Sequence, residues 1–302
     1  MIQESSFDLK AHLADRKAQV DQALQRCLPA PAGLEKNLLE ASRYSLFAGG
    51  KRLRPILCLD AAEVVGGNGQ TVMPAACALE FIHTYSLIHD DLPAMDNDDF
   101  RRGKPTNHKV FGEAMAILAG DNLLTEAFGL MADVQSSAMV PVDRLLEAVQ
   151  ILVKASGYRG MIGGQVIDLE CENRQVDLAM VEYMHVRKTG ALISASLEIG
   201  ALLGGGSPQQ VRQLTRYGHH FGLAFQITDD LLDIEGDAAV MGKTPGSDAA
   251  KNKQTYPVLT GVGRAREAAR DHVDEALGAL ADFNAKAEPL RALARYLLVR
   301  KA

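Results

Sequence analysis

Apolar residues recur along the chain at steps of three and four, the spacing of one face of an α-helix. Two stretches show this clearly: Ile117, Leu118, Leu124, Phe128 and Met131 in the first, and Leu145, Val149, Leu152 and Val153 in the second. No stretch sustains the alternation of apolar and polar residues that is typical of strands joined by hairpin turns. The pattern therefore predicts an all-α protein.

Clusters of glycine and proline interrupt this pattern and predict the connections between helices. They lie at residues 49–50, 66–67, 163–164, 204–208 and 242–246. The segments between them are about 15 to 25 residues long, which suits the helices of a bundle. Because no Ser- or Pro-rich linker divides the sequence, we predict one domain over residues 1–302.

Composition excludes some classes of partner. The chain of 302 residues has a formal net charge of −6, whereas binding to nucleic acid calls for a basic face. The longest weakly charged stretch, residues 189–211, contains Glu198 and a run of three glycines, so its apolar part is too short to span a bilayer. We therefore expect no nucleic acid partner and no membrane span.

The cysteines and the first residues of the chain bear on its location. The four cysteines, at positions 27, 58, 77 and 171, form no C-x-x-C pair. This spacing favours reduced thiols over a zinc site or a disulfide framework. The segment "MIQESSFDLK" is polar and mixed in charge, unlike a secretory signal peptide. These features predict a cytoplasmic protein.

The sequence "DDLLD" at residues 229–233 follows an apolar helical segment. Asp229 and Asp233 are four residues apart, so they share one face of a helix. Two carboxylates one turn apart repel each other unless a cation lies between them, and oxygen ligands suit Mg2+. A solvated helix face without an ion is the alternative that this motif alone leaves open.

A second acidic cluster lies in "LIHDDLPAMDNDDFRRGKPT", residues 87–106. Six residues turn a helix by about 600°, so Asp90 and Asp96 cannot share a face of a straight helix. Pro93 disfavours a helical conformation in the residue before it. We therefore predict that the helix ends here and that the chain folds back, bringing Asp96 towards Asp90.

Basic residues accompany these clusters. They lie in "GGKRLRP" at residues 49–55, in the arginine pair directly after the cluster near residue 90, in "RKTG" at 187–190 and in "GKTPGSD" at 242–248. Neither Gly-Lys pair has the residues of a P-loop. Because Mg2+ held by few carboxylates completes its shell with water and substrate phosphate, and arginine suits bidentate phosphate contacts, the joint pattern predicts binding of two polyphosphate groups.

In order and spacing, these motifs resemble those of the trans-isoprenyl diphosphate synthases, especially the bacterial farnesyl diphosphate synthase group. The resemblance extends over nearly the whole chain, from "FAGGKRLRP" through "GGQVIDL", "KTGALI" and "FQITDDLLD" to "GKTPGSDAAKNKQTYP". It implies long helices around a deep central cavity and a homodimer. The implied activity is the head-to-tail condensation of isopentenyl diphosphate with dimethylallyl or geranyl diphosphate, giving mainly farnesyl diphosphate. The alternatives are a geranylgeranyl diphosphate synthase and, less favoured, a class I terpene cyclase or a non-catalytic subunit.

The resemblance also assigns roles to individual residues. It implies three Mg2+ ions per active site, with Asp90, Asp96 and Asp229 as ligands and with Asp91, Asp230 and Asp233 supporting the water shell. The residues implied to bind the allylic diphosphate are Arg101, Lys188, Lys243 and Lys253. Those implied to bind isopentenyl diphosphate are Lys51, Arg54, His83 and Arg102.

Further residues are expected to lie beside the hydrocarbon part of the substrates. Thr189 and Gln226, with the carbonyl of Lys188, would flank the reacting carbons. Tyr85 lies five residues before Asp90, about 7.5 Å along a helix axis. In the family, an aromatic residue there stops the product at fifteen carbons. Helix geometry alone instead favours Ser86, which shares a face with Asp90.

Overall fold

The computed structural model describes residues 7–132, 140–172, 174–235 and 254–300. Its α-helices are α1 Leu9–Cys27, α2 Lys36–Leu46, α3 Leu53–Val64, α4 Gly69–Asp90, α5 Asn107–Phe111, α6 Glu113–Met131, α7 Val142–Ser156, α8 Met161–Cys171, α9 Leu178–His185, α10 Ala191–Leu203, α11 Pro208–Glu235, α12 Tyr256–Thr260, α13 Val262–Ala279 and α14 Glu288–Leu297. A π-helical turn, Val186–Gly190, joins α9 to α10, and a 3-10 turn, Ala285–Ala287, precedes α14. Within these ranges the strands are β1 Phe100–Arg101 and β2 Lys104–Pro105, an antiparallel pair. The predicted all-α class is confirmed.

Most of the predicted breaks coincide with helix ends. The glycines at 49–50, 66–67 and 204–206 lie between consecutive helices. The prediction for residues 163–164 is wrong, because both glycines lie inside α8. A Cβ atom on Gly164 would lie 2.3 Å from the backbone nitrogen of Lys188, so this glycine permits close packing of α8 against the π turn. Residues 242–246 lie outside the described residues.

The helices pack around two main groups of buried apolar residues. One group contains Phe81 and Ile82 of α4 together with residues of α1, α6 and α7. The other contains Tyr217 and Phe221 of α11 together with residues of α13 and α14. Helices α3 and α10 contribute to both groups, so they lie between the two halves of the core.

One of the described helices, α4, is long and apolar enough to cross a membrane by length and composition. However, 72% of its apolar window is buried inside the protein, and the core helix of a soluble protein passes the same test. The stretch at 189–211, which the sequence marks as the longest with little charge, is divided among the π turn, α10 and the start of α11. Helix α4 is important here because the first acidic cluster follows its C-terminal end.

Candidate active site

The first acidic cluster forms a tight turn at the end of α4. The helix ends at Asp90, and the backbone N–H of Asp96 donates a hydrogen bond to the carbonyl of Asp90 at 2.8 Å. Asn97 adopts a left-handed conformation, with a φ of 53°, as the chain reverses. The predicted return of Asp96 towards Asp90 is therefore present.

The carboxylate of Asp90 lies in an environment that disfavours its charge. Burial raises the pKa of Asp90 to about 6, and the neighbouring carboxylates of Asp96 and Asp91 add to this, whereas Lys188 and Arg101 oppose it. Burial is the main cause, and the nearby positive charges do not fully offset it. A bound cation would supply the missing charge.

Asp91 is paired within the chain. It is buried, and the Nε atom of Arg101 donates hydrogen bonds to both of its carboxylate oxygens, at 2.7 and 2.9 Å. Burial raises the pKa of Asp91, and the arginine opposes that rise. Because Arg101 ends β1, the small hairpin is tied to the acidic cluster, a contact that the sequence alone did not predict.

The second acidic cluster occupies the last turns of α11. Although Asp229 and Asp233 are one turn apart, the side chain of Asp229 is 56% exposed whereas Asp233 is buried. Asp230 is also buried and accepts hydrogen bonds from the backbone N–H of Tyr256, at 2.9 Å, and from the side-chain amide of Gln226, at 3.2 Å. Burial raises the pKa of Asp230 to about 7.

Lys188 lies in the π turn, between the two acidic clusters. Its Nζ atom donates a hydrogen bond to Asp168 at 2.5 Å, and its charge acts on Asp90 at the end of α4. Burial lowers the pKa of His185 to about 4, and Lys188 contributes to that shift. The Nε2 atom of His185 lies 3.6 Å from the carboxylate of Asp230. The end of α11 therefore contacts this part of the chain, and the end of α4 lies near enough for Lys188 to act on Asp90.

Thr189 and Gln226 lie in direct contact. The hydroxyl of Thr189 donates a hydrogen bond to the amide oxygen of Gln226 at 3.0 Å. The amide nitrogen of Gln226 in turn donates to Asp230. The two residues that the resemblance places beside the reacting carbons are thus adjacent to the second acidic cluster.

Three of the four residues expected to bind isopentenyl diphosphate, Arg54, His83 and Arg102, form a cluster in which the two arginines carry the positive charge. Burial lowers the pKa of His83 far below its usual value, and the charges of Arg54 and Arg102 add to the shift. The guanidinium of Arg102 packs over Gly50, where a Cβ atom would lie 2.6 Å from its Nη1 atom, and it donates a hydrogen bond to the carbonyl of Gly49.

Lys51, the fourth of these residues, is exposed and lies towards the second acidic cluster. Burial of its amino group lowers the pKa of Lys51, Arg300 adds to the shift, and Asp229 opposes it. The loop after α2 therefore lies near the end of α11. Lys243 and Lys253 lie outside the described residues.

Arg300 is a site residue that sequence reasoning missed. Its side chain is 4% exposed, and its Nη2 atom donates hydrogen bonds to the carbonyl of Phe225, the hydroxyl of Thr228 and the carboxylate of Asp229, at 2.9, 3.0 and 3.4 Å. The guanidinium also lies over the ring of Phe225, 4.4 Å from its centroid. No motif around residue 300 marks it.

Asp168, the partner of Lys188, was also missed. It is buried in α8, and Gln165 precedes it by three residues on the same helical face. That spacing in "GGQVIDL" was the available signal. A polar pair on one face of a helix, next to a glycine that permits close packing, indicates a polar neighbour for that face.

Tyr85 and Ser86 differ in their surroundings. Tyr85 is 5% exposed, and its hydroxyl is buried without a hydrogen-bond partner among the described residues. Its ring contacts that of His89 edge to face, with 5.8 Å between centroids. Burial, with a contribution from Asp90, raises the pKa of Tyr85 to about 12. The hydroxyl of Ser86 donates to the carbonyl of His83 at 2.9 Å.

The acidic side chains suit Mg2+ in their chemistry but do not enclose it. Their ligand atoms are all carboxylate oxygens, which hard divalent cations prefer, and Asp90 has a raised pKa that a cation would offset. Among the described residues, no group of three or more His, Cys, Asp or Glu side chains is placed to hold a metal ion by itself. The site therefore fits Mg2+ that takes part of its shell from water and a phosphorylated substrate.

Comparison with known proteins gives a consistent picture. A family model described as Polyprenyl synthetase matches residues 35–295. The chain is 49% identical over 300 residues to a dimethylallyltranstransferase of Fischerella ambigua (strain UTEX 1903), covering 99% of this chain and 86% of that protein. It is 48% identical over 272 residues to the farnesyl diphosphate synthase of Geobacillus stearothermophilus, covering 90% and 91%. It is 47% identical over 301 residues to the heterodimeric geranylgeranyl pyrophosphate synthase large subunit 1 of Arabidopsis thaliana, covering 98% and 81%.

Solved structures show the same fold. A FPP/GFPP synthase from Zymomonas mobilis, in its apo form, superposes with a TM-score of 0.86 at 38% identity, covering 96% of this chain and 98% of that one. The geranylgeranyl pyrophosphate synthetase of Pyrococcus horikoshii superposes with a TM-score of 0.88 at 32% identity, covering 97% and 98%.

Proposed function

The chain belongs to the polyprenyl synthetase family and is a trans-prenyltransferase, and from this premise we propose that it joins isopentenyl diphosphate head-to-tail to an allylic diphosphate and releases diphosphate. The observation that carries the proposal is that the helix turn with His185 and Lys188 contacts the second acidic cluster at Asp230 and lies near Asp90 of the first, with a separate cluster of Arg54, His83 and Arg102. An acidic region that Mg2+ would make positive and a separate region with two arginines suit a reaction with two diphosphate substrates.

In this proposal the first region binds the allylic diphosphate. Asp90, Asp96 and Asp229 would hold Mg2+, and Asp91, Asp230 and Asp233 would support its water shell. When bound, Mg2+ supplies positive charge that stabilises the departing diphosphate. Lys188 and Arg101, with Lys243 and Lys253, would contribute hydrogen bonds to the same group. Because Lys188 and Arg101 each contact a carboxylate of the chain, the diphosphate would replace or share those partners.

Neutral oxygen atoms next to this region would stabilise the reacting carbons. The allylic C–O bond breaks with its electrons leaving on the diphosphate, which produces a carbocation. The hydrogen bond between Thr189 and Gln226 supports an orientation of both dipoles near this cation. The double bond of isopentenyl diphosphate then attacks the cation, and a proton passes to the released diphosphate. No protein nucleophile takes part.

The second region would bind isopentenyl diphosphate through Lys51, Arg54, His83 and Arg102. The lowered pKa of His83 supports a neutral ring at pH 7. A neutral imidazole donates one hydrogen bond without adding charge to the neighbouring arginines. The arginines would supply the charge.

We further propose that the main product is farnesyl diphosphate, with geranylgeranyl diphosphate as the second candidate because similar proteins carry either name. Burial of Tyr85 in α4, five residues before Asp90, supports its role as the stop for the growing chain. Its unpaired hydroxyl and large ring would occupy the space that a longer product needs.

The test is turnover with isopentenyl diphosphate and, separately, dimethylallyl, geranyl and farnesyl diphosphates, with the products separated by chromatography. Dimethylallyl and geranyl diphosphates should each give mainly the fifteen-carbon product. Tyr85→Ala should shift the product towards twenty carbons, and Ser86→Ala, which removes little volume, should not. An active Tyr85→Ala enzyme that still stops at fifteen carbons contradicts the role of Tyr85. Absence of condensation by the unmodified protein with Mg2+ contradicts the proposed reaction.

A further inference from the structure

The loop between α2 and α3 carries two basic residues, Lys51 and Arg52, which face different surroundings. Lys51 is exposed, whereas the side chain of Arg52 is 2% exposed. Arg52 also adopts a left-handed backbone conformation, with a φ of 54°. This conformation is unfavourable for a residue with a Cβ atom, so something in the fold must hold it.

Three hydrogen bonds hold the guanidinium of Arg52. Its Nη1 atom donates to Glu80 on α4 at 2.7 Å, and its Nε atom donates to Asp21 on α1 at 2.8 Å. Its Nη2 atom donates to the carbonyl of Leu46, the last residue of α2, at 2.7 Å. Burial would lower the pKa of Arg52, but Glu80 and Asp21 outweigh that effect and raise it. The loop is thereby attached to three helices through one side chain.

The carboxylate of Glu80 acts on more than Arg52. It is buried and lies on α4 three residues before His83. Burial lowers the pKa of Arg54 to about 10 and also lowers that of Arg102, and in both cases the charge of Glu80 opposes the shift. One buried carboxylate therefore compensates three guanidinium groups.

Unlike Arg52, Arg54 has a guanidinium nitrogen without a hydrogen bond among the described residues. Its Nε atom is buried and has no hydrogen-bond partner within the described part of the chain. Arg54 is the second residue of α3, so the loop that Arg52 attaches lies directly on its N-terminal side. The placement of Arg54 therefore depends on that loop.

We infer that the buried Arg52–Glu80 ion pair positions the cation cluster for isopentenyl diphosphate, without Arg52 touching the substrate. This inference rests on the proposed function for the identity of the ligand. It assigns Arg52 and Glu80 as positioning residues. Loss of the pair would release the left-handed loop and separate Lys51 and Arg54 from His83 and Arg102.

The alternative is that the Arg52–Glu80 ion pair only stabilises the fold. The chain contains a matched control for this alternative. Arg16 on α1 donates to Asp60 on α3 at 3.1 Å and also pairs with Glu63, and its side chain is 12% exposed. This ion pair also joins helices, but its residues do not belong to the cation cluster.

The experiment compares Arg52→Lys and Glu80→Gln with the control Arg16→Lys. Lysine keeps the charge but cannot reproduce the three separate hydrogen bonds of the guanidinium. We expect both test variants to raise KM for isopentenyl diphosphate by at least about tenfold, the scale of one lost hydrogen bond to a charged group. KM for geranyl diphosphate should change by less than about twofold. The control should leave both constants near their original values even where it lowers the melting temperature.

Hydrogen exchange of residues 47–54 tests the attachment of the loop without depending on activity. Glu80→Gln should accelerate exchange there relative to the unmodified protein, and Arg16→Lys should not. Unchanged exchange in a folded Glu80→Gln protein overturns the inference, as does an equal rise in both KM values. If exchange is accelerated in Glu80→Gln but the unmodified protein does not condense the two substrates, the proposed function is contradicted while the attachment of the loop remains supported.

Discussion

Three cations of the site contact carboxylates of the same chain. Arg101 pairs with Asp91, Lys188 pairs with Asp168, and Arg300 approaches Asp229. Two of these cations are the ones proposed to bind the allylic diphosphate. The chain therefore holds the cations that we propose to bind phosphate in place with its own carboxylates, and in this proposal the substrate would take over those hydrogen bonds.

The proposed role of Asp229 predicts a large loss of activity on its removal. Asp229→Ala should lower turnover with Mg2+ by at least about 100-fold, the scale of losing one electrostatic stabiliser of the transition state. The fold should survive because the side chain is 56% exposed, which circular dichroism can check. Asp282→Ala, another exposed aspartate far along the chain, is the control and should keep its activity. Near-normal turnover of Asp229→Ala would contradict the proposed role of Asp229 as a ligand of Mg2+.

The separation of two diphosphate sites predicts opposite effects of two substitutions. Arg54→Ala should raise KM for isopentenyl diphosphate more than KM for geranyl diphosphate, by at least about tenfold. Lys188→Ala should have the reverse preference, because it lies beside Asp90 rather than in the cation cluster. Steady-state kinetics with each substrate varied in turn would show this. Equal effects of either variant on both substrates would argue against two sites.

Local sequence rules anticipated some of these residues and not others. The turn that brings Asp96 back to Asp90 follows from Pro93, whose effect on the preceding residue is local. The approach of Arg300 to Asp229 spans 71 residues and depends on how α14 packs, so no local rule could find it. Contacts between distant segments were the part that required the structure.

At the scale of elements, glycine has two structural roles that the sequence alone does not distinguish. At Gly49 and Gly50 the positive φ angles of 107° and 116° allow a turn, as predicted. At Gly164 the backbone is helical, and the absence of a side chain instead allows α8 to approach the π turn. A glycine that ends a helix and a glycine that permits close helix packing therefore look the same in the sequence.

This close contact predicts that Gly164→Ala damages both stability and activity. The new Cβ atom would lie 2.3 Å from the nitrogen and 2.6 Å from the Cα atom of Lys188, so α8 or the π turn must move. We expect a loss of about 1 to 3 kcal/mol in the free energy of unfolding, the usual cost of overpacking. Because Lys188 would shift, turnover should fall as well. Denaturant titration and steady-state kinetics measure the two effects.

Gly129→Ala in α6 is the control for Gly164→Ala. A Cβ atom at Gly129 would meet only the end of the Glu126 side chain, at 3.9 Å. Alanine is preferred to glycine inside a helix by about 1 kcal/mol, so this variant should be neutral or stabilised. If Gly164→Ala were as stable and active as Gly129→Ala, α8 and the π turn would not be in close contact.

At the scale of the whole molecule, periodicity predicted the helices but not everything that packs against them. Ile117 and Leu118 belong to the apolar pattern of α6 and yet are 44% and 53% exposed. Leu146 and Val153 of α7 are likewise 60% and 50% exposed. A pattern of apolar residues marks a face that is to be buried, but it does not say whether the same chain buries it.

We propose that a second copy of the chain covers these exposed apolar residues of α6 and α7, which accords with the homodimer that the resemblance implies. Light scattering coupled to size exclusion should then give twice the mass of one chain. Leu118→Glu should give the mass of one chain, since burying an unpaired carboxylate in an apolar interface costs more than about 2 kcal/mol. Leu34→Glu is the control, because Leu34 is fully exposed between α1 and α2, and it should leave the dimer intact. A dimer that tolerates Leu118→Glu as well as Leu34→Glu would place the interface elsewhere, and an unmodified protein that is a monomer would refute the proposal.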